Sequence, residues 1–240
     1  VDQADAGSAF GEDGGTEEHR AAYSGGAGLP EERQHDRGRV GVARGRRAAR
    51  NRQAVLAAAD RLFTDCDNPE DVTMADVAAA AGVGKGTLFR AFGDRPGLLR
   101  ALYETRLEPL REAAESGPPP LGPATPPLLR VPALLDATLR FKLDNRRLAL
   151  AFEESDSTSP YKAAHYERWH GLLRSVLEQI PGLADTGFTA HALLAAVRAD
   201  LVEHLADREH VPREQMRAQL AGFTATVLGT DPPDGAGDPP

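Results

Sequence analysis

Apolar residues recur at helical spacing once the first forty residues are passed. Ala54, Val55, Ala58, Leu62 and Phe63 lie three and four apart, which predicts a helix from about Arg44 to Asp65. Asn68-Pro69 breaks the pattern. Short helices are expected over Met74–Ala81 and Lys85–Ala91, with the tight turn Gly82-Val83-Gly84 between them. Gly93-Asp94 ends the second, and Pro96 suits the first turn of a helix carrying Leu98, Leu99, Leu102, Tyr103 and Leu107 to about Glu115. Residues 116–127 hold six prolines, which no helix accommodates. Beyond them the pattern predicts helices near 128–143, 145–155, 160–180, 187–207 and 212–229, and strand-like alternation is absent throughout. The expectation is an all-α chain: a disordered acidic segment over 1–40, a helix-turn-helix head with its connecting helix over 41–115, a Pro-rich loop and domain boundary over 116–127, a helical domain over 128–230, and a disordered tail over 231–240.

Composition refines this picture in two ways. Aromatics make up 5% of the chain, and Ala, Leu and Arg dominate its centre, which favours helix. Cys66 is the only cysteine, which excludes an internal disulfide and any all-cysteine metal site and fits a reducing cytoplasm. No apolar run of about 18 residues exists, so no membrane contact is expected. The first fifteen residues are acidic and do not read as a secretory signal.

The formal net charge of -8 would oppose nucleic-acid binding if it were spread evenly. It is not. Residues 1–36 hold two Arg against nine acids, and 116–240 hold twelve bases against sixteen acids, whereas 37–115 hold fourteen against eleven. Arg39, Arg44, Arg46, Arg47, Arg50 and Arg52 fall in a stretch without an acid. Such a patch is an electrostatic footprint for nucleic acid, or else a solvated helix start.

The short-helix, Gly-turn, short-helix pattern gives that patch a partner. Thr73 with Asp76 three residues on reads as a capping box, though Asp is a weaker choice there than Glu. Gly82 suits a left-handed turn position, and Val83 should plug the core between the helices. The second helix would enter the major groove with its first residues towards the bases. Lys85 and Arg90 can reach phosphate or guanine, and Thr87 a thymine methyl or a phosphate. Gly86 lets backbone approach, while Leu88 and Phe92 should face inward. Arg95, at the next helix start, can help amides hold a phosphate.

The stretch VTMADVAAAAGVGKGTLFRAFGDRPGLL, with NRQAVLAAADRLF before it, resembles the DNA-binding domain of the tetracycline-repressor (TetR) family over roughly residues 44–107. The resemblance implies a three-helix head, a fourth linking helix, and a helical ligand-binding and dimerisation domain. It implies a homodimer on double-stranded, near-palindromic operator DNA, released by a small-molecule effector. The candidate DNA-contact residues are Arg44, Arg46, Arg47, Thr73, Lys85, Gly86, Thr87, Phe89, Arg90 and Arg95. The chain departs from the family at Gly84, where Ser is frequent, at Phe89, where Tyr would add a hydroxyl, and at Arg95, where Lys is usual. The loop before Thr73 is one residue longer.

In the second half, Leu194, Val197, Leu201 and Leu205 form one apolar stripe, and Met216, Leu220, Phe223 and Val227 another. They read either as a two-fold helical interface or as one subunit's core; the resemblance favours the interface. Phe141, Phe152, Tyr166, Trp169 and His170 are candidates for an effector pocket or for plain core, with Arg140, Glu153 and His165 as its possible polar groups. Glu153, Glu154 and Asp156 together read as an acidic cluster facing water. His165 and His170 are five apart, roughly 140° around a helix at about 100° per residue, which suits no shared metal. No nucleophile motif, phosphate loop or cofactor signature is present, so an enzyme is not expected, nor a cofactor. A regulator without an effector is the alternative; a helical enzyme or interaction module is the third class.

Overall fold

The computed structural model describes residues 31–66, 69–155 and 164–230. Ten α-helices follow one another, and no strand occurs among the described residues: α1 (Glu31–Asp65), α2 (Met74–Ala80), α3 (Lys85–Phe92), α4 (Arg95–Ser116), α5 (Pro127–Asp144), α6 (Arg146–Ser155), α7 (Ala164–Leu177), α8 (Thr186–Ala195), α9 (Ala199–Glu203) and α10 (Arg213–Leu228). A 3-10 turn, Pro69–Asp71, precedes α2, and a π-helical turn, His204–Arg208, extends α9. No helix among the described residues is long and apolar enough to cross a membrane. The segments expected to lack structure over 1–30 and 231–240 lie outside the described residues.

The chain divides within α1, into residues 1–45 and 46–240. α1 begins at Glu31, ahead of the start near Arg44 that the apolar spacing predicted. The Pro-rich stretch, expected as a loop, is fastened into the second unit by the buried Arg130, whose Nε donates to the Leu121 carbonyl at 2.9 Å and whose guanidinium also donates to the Ala114 carbonyl at 2.7 Å.

Within residues 46–240 the apolar side chains form two clusters. Val55, Ala59 and Phe63 of α1 meet Val77 and Ala78 of α2, Leu88 and Phe92 of α3, and Leu98, Leu99 and Leu102 of α4. That cluster continues through Tyr103 to Leu148, Ala149 and Phe152 of α6. The second gathers α5, α7, α8 and α10 around Leu134, Leu135, Val176, Leu177, Leu193 and Leu220, with Ala114 from the end of α4. α4 therefore contributes to both.

The helix expected over 187–207 is broken. Arg198 is extended (φ -64°, ψ 146°), so α8 stops at Ala195 and α9 restarts in a new direction. The stripe Leu194-Val197-Leu201-Leu205 consequently does not lie along one helix.

A candidate nucleic-acid interface and an interior cavity

The turn between α2 and α3 is built from local hydrogen bonds. Thr73 Oγ1 accepts from the Asp76 amide at 3.2 Å, and the Thr73 amide donates to Asp76 Oδ2 at 3.0 Å. The box is complete despite the shorter acid. Its side-chain and backbone bonds from Thr73 hold the Asp76 carboxyl below the ordinary aspartate value. Gly82 sits at φ +64°, a conformation that costs other residues dearly, while its amide and that of Val83 close the end of α2 on Ala79 and Ala78. Val83 is half-buried against the head cluster, as the spacing predicted.

α3 then has two unlike faces. Leu88 and Phe92 are buried, which for Leu88 is worth about 1.5–3 kcal/mol. Lys85, Gly86, Phe89 and Arg90 are exposed, and Thr87 is half-buried. A Cβ built on Gly86 would meet nothing within 4 Å, so internal packing does not demand glycine there. Phe89 stands out, 47% exposed where an aromatic residue gains nothing from water.

Arginines around α3 take different roles. Arg46 and Arg47 are exposed on α1, and the side chain of Arg44 lies outside the described residues. Arg52 lies over the Phe92 ring at 4.6 Å and donates to the Ala91 carbonyl at 3.3 Å, tying α1 to the C-terminal end of α3. Charge counting alone placed it in the basic patch; only packing separates it from its neighbours. Arg95 is half-buried, 5.9 Å from the Phe63 ring. The start of α4 does not offer the phosphate the full set of amides expected, because Asp94 Oδ1 already accepts from the Gly97 amide at 2.8 Å.

Sequence reasoning also missed a clamp. Arg106 of α4 donates to Asp60 Oδ1 (2.6 Å) and to Thr64 Oγ1 (2.7 Å) on α1, and to Asn145 Oδ1 (2.8 Å) between α5 and α6. Nothing in its local sequence distinguishes Arg106 from the many other arginines on helix surfaces.

Deeper in the second half is a cavity of about 60 Å³. Phe152, Tyr166 and Trp169 line it, as do Glu153 and His165. Phe141 does not: it packs edge-on against Tyr103 at 5.3 Å. His170 does not either; its Nε2 meets the Gly187 carbonyl at 3.0 Å, and its ring stacks on His191 at 3.9 Å. Arg140 is turned away onto Asp136. The two aromatics and the arginine fall on helix faces that meet other elements, which periodicity cannot foresee. Burial, then the charge of His170, hold His191 below the ordinary histidine value.

Glu153 carried two expectations, a polar group of the pocket and a water-facing cluster with Glu154 and Asp156, and its place on the cavity wall fits the first. Glu154 is exposed and Asp156 lies outside the described residues, but Glu153 turns inward. Lys142 Nζ donates to its Oε1 at 2.6 Å, and the Ala199 amide to its Oε2 at 3.0 Å. The pair persists inside because each charge neutralises the other where water cannot. Desolvation draws the Lys142 ammonium below the ordinary lysine value, against the pull of Glu153.

The two apolar stripes divide in the same way. Leu194, Val197, Met216 and Leu220 are buried within the subunit, and Leu194 and Val197 line the cavity. Side chains with so little surface left cannot be shared with a partner. Leu205 and Val227 are half-buried against the second cluster. Leu201 and Phe223 keep 38% and 43% of their surface, and Phe188 of α8 keeps 75%.

Residues 55–102 match the family model of bacterial regulatory proteins, tetR family. The chain is 33% identical over 118 residues to the HTH-type transcriptional repressor LfrR of Mycolicibacterium smegmatis, a match covering 49% of this chain and 58% of LfrR. It is 24% identical over 174 residues to an HTH-type transcriptional regulator of Staphylococcus aureus, covering 71% and 90%. A regulator from Rhodococcus sp. assigned to the TetR family has the same fold, with a TM-score of 0.55, 22% identity, and coverage of 74% of this chain and 98% of that one.

Proposed function

We propose, from the match of residues 55–102 to the tetR family of bacterial regulatory proteins, that the chain is a DNA-binding transcriptional repressor of that family, acting in the cytoplasm as a homodimer on a near-palindromic operator and released by a small molecule. One observation carries the reading. α3 buries Leu88 and Phe92 and presents Lys85, Gly86, Phe89 and Arg90 outward, with a glycine where packing requires none. Lys85 and Arg90 supply charge to phosphates or guanine edges, Thr87 a hydroxyl and a methyl, and Phe89 an apolar surface for thymine methyls. Arg46 and Arg47 extend the cationic surface along α1. The completed box at Thr73 holds α2 in place.

Release requires that effector and operator favour different states of one element. α4 suits that role. Leu98, Leu99 and Leu102 lie in the head cluster, Tyr103 lines the cavity, and Arg106 grips both α1 and the α5–α6 junction. A shift of α4 would change the spacing of two heads whose half-sites lie about 34 Å apart.

The test is fluorescence anisotropy on DNA from upstream of the gene. Wild type should bind in a sequence-preferring manner and weaken steeply with salt. Lys85→Ala should weaken binding and lower the salt slope by about one, and Thr87→Ala should weaken binding mainly at the preferred sequence. Absence of salt-sensitive, sequence-preferring binding by wild type sinks the reading. A second reading, repression without an effector, is favoured by the cavity, whose 60 Å³ falls short of the roughly 300 Å³ of a ligand pocket. Operator binding that no metabolite extract weakens would select it.

A further inference from the structure

The cavity wall is unevenly supplied with hydrogen-bonding groups. Lys142 is buried, a rare position for an ammonium. It can donate three hydrogen bonds and, among the described residues, donates one, to Glu153. Glu153, by contrast, has both oxygens engaged, by Lys142 and by the Ala199 amide. It is also the only carboxylate among the described residues of the wall, where Lys142 is cationic and the charge of Arg198 is held by Asp200. The Tyr103 hydroxyl, on the same wall, is hydrogen-bonded to no described residue, and its ring stacks on Phe152 at 4.3 Å. Burial, then the charge of Glu153, push the Tyr103 phenol far above its ordinary value, so it stays a donor. An ion pair kept only for stability would spend its protons on protein acceptors, since packed apolar residues often serve as well. Here unspent donors face a void bounded mainly by aromatic and aliphatic side chains.

We propose that the effector is a flat lipophilic acid whose carboxylate or phenolate is held by Lys142 and Tyr103, with its apolar body lying along Phe152 and Trp169. The inference rests on the effector reading above and names the ligand's chemistry. A void of about 60 Å³ holds only one or two waters at roughly 30 Å³ each, so the acid enters by widening the wall. The joint between α8 and α9 can give way. It carries Leu194, Val197 and Arg198 along the cavity, and the extended backbone at Arg198 already interrupts the helical ladder. An acid at Lys142 also competes with Glu153, which holds the Ala199 amide at the start of α9.

The full-length chain is titrated by calorimetry with 2-naphthoate, with neutral 2-naphthamide and with cationic 2-naphthylmethylamine. Quenching of Trp169, the only tryptophan in the chain, reports whether the cavity is the site. Naphthoate should bind at least about ten-fold more tightly than the amide, the value of a charge-assisted hydrogen bond in a dry site. The cation should bind least. Lys142→Arg should retain the preference for acid, and the double variant Lys142→Gln/Glu153→Gln should bring acid and amide within about two-fold. An amide or cation that binds as tightly as the acid overturns the proposal, as does the failure of every probe to saturate. If the double variant does not fold, the three probes on wild type decide alone. The same samples are mixed with labelled upstream DNA: intact operator binding with no acid preference ends this inference and leaves the regulator standing, whereas loss of both ends the two together.

Discussion

Lys142 and Glu153 show how much one pair of residues can decide. Their side chains keep 10% and 13% of their surface, so neither charge can be left alone cheaply. Lys142→Met should cost about 3–5 kcal/mol, because Glu153 stays buried without its partner, while Lys142→Met/Glu153→Leu should lie near wild type. Urea unfolding of the three proteins measures this; equal losses in single and double variants would contradict it. Thr73 and Asp76 give a second residue-scale expectation. The folded carboxyl is held below its ordinary value, first by the Thr73 side chain. Its contribution is therefore complete above the ordinary aspartate range and is lost as pH falls through the folded value. Thr73→Val should lower the melting temperature at pH 7 and converge with wild type in strong acid.

At the scale of elements, the reading helix depends on the turn before it. Gly82 holds φ +64° with open space where a Cβ would stand, so Gly82→Ala tests backbone strain without a clash. A loss of about 1–2 kcal/mol is expected, smaller for Gly82→Asn. Thermal melts should show both, and a stabilised alanine variant would refute the turn assignment. Arg52 and Arg106 act on whole helices: one closes the end of α3 from α1, the other joins α1, α4 and the α5–α6 junction. Two of the residues expected to touch DNA also sit at helix starts. Thr73 caps α2, and Arg95 begins a helix whose leading amides Asp94 already occupies in part. The expected helix over 187–207 fails here too, because apolar spacing continues across Ala196–Arg198 while the backbone does not.

For the whole molecule, the second core leaves Phe188, Leu201 and Phe223 outside. These, rather than the buried halves of the two stripes, are available to a second copy. If the proposed homodimer uses α8 and α10, Phe223→Glu should shift the chain to monomer in analytical ultracentrifugation while leaving its helical content intact. It should also weaken operator binding well beyond two-fold, since two half-sites are no longer held together. An unchanged sedimentation coefficient would place the interface elsewhere.

By itself the sequence determined the local features. The all-helical pattern, the box at Thr73, the turn at Gly82 and the inward set of Leu88 and Phe92 each depend on residues within a few positions of one another, and the run of motifs over 73–99 was enough for the family resemblance. Only the tertiary structure decided which arginine meets solvent and which meets a helix end, which stripe residues face inward, and where Glu153 turns. Those outcomes depend on partners 11 to 46 residues away, such as Lys142 and Ala199 for Glu153 and Asp60 for Arg106. Periodicity marks a helix face as apolar or polar, but the element packed against it determines what a charge on that face must do.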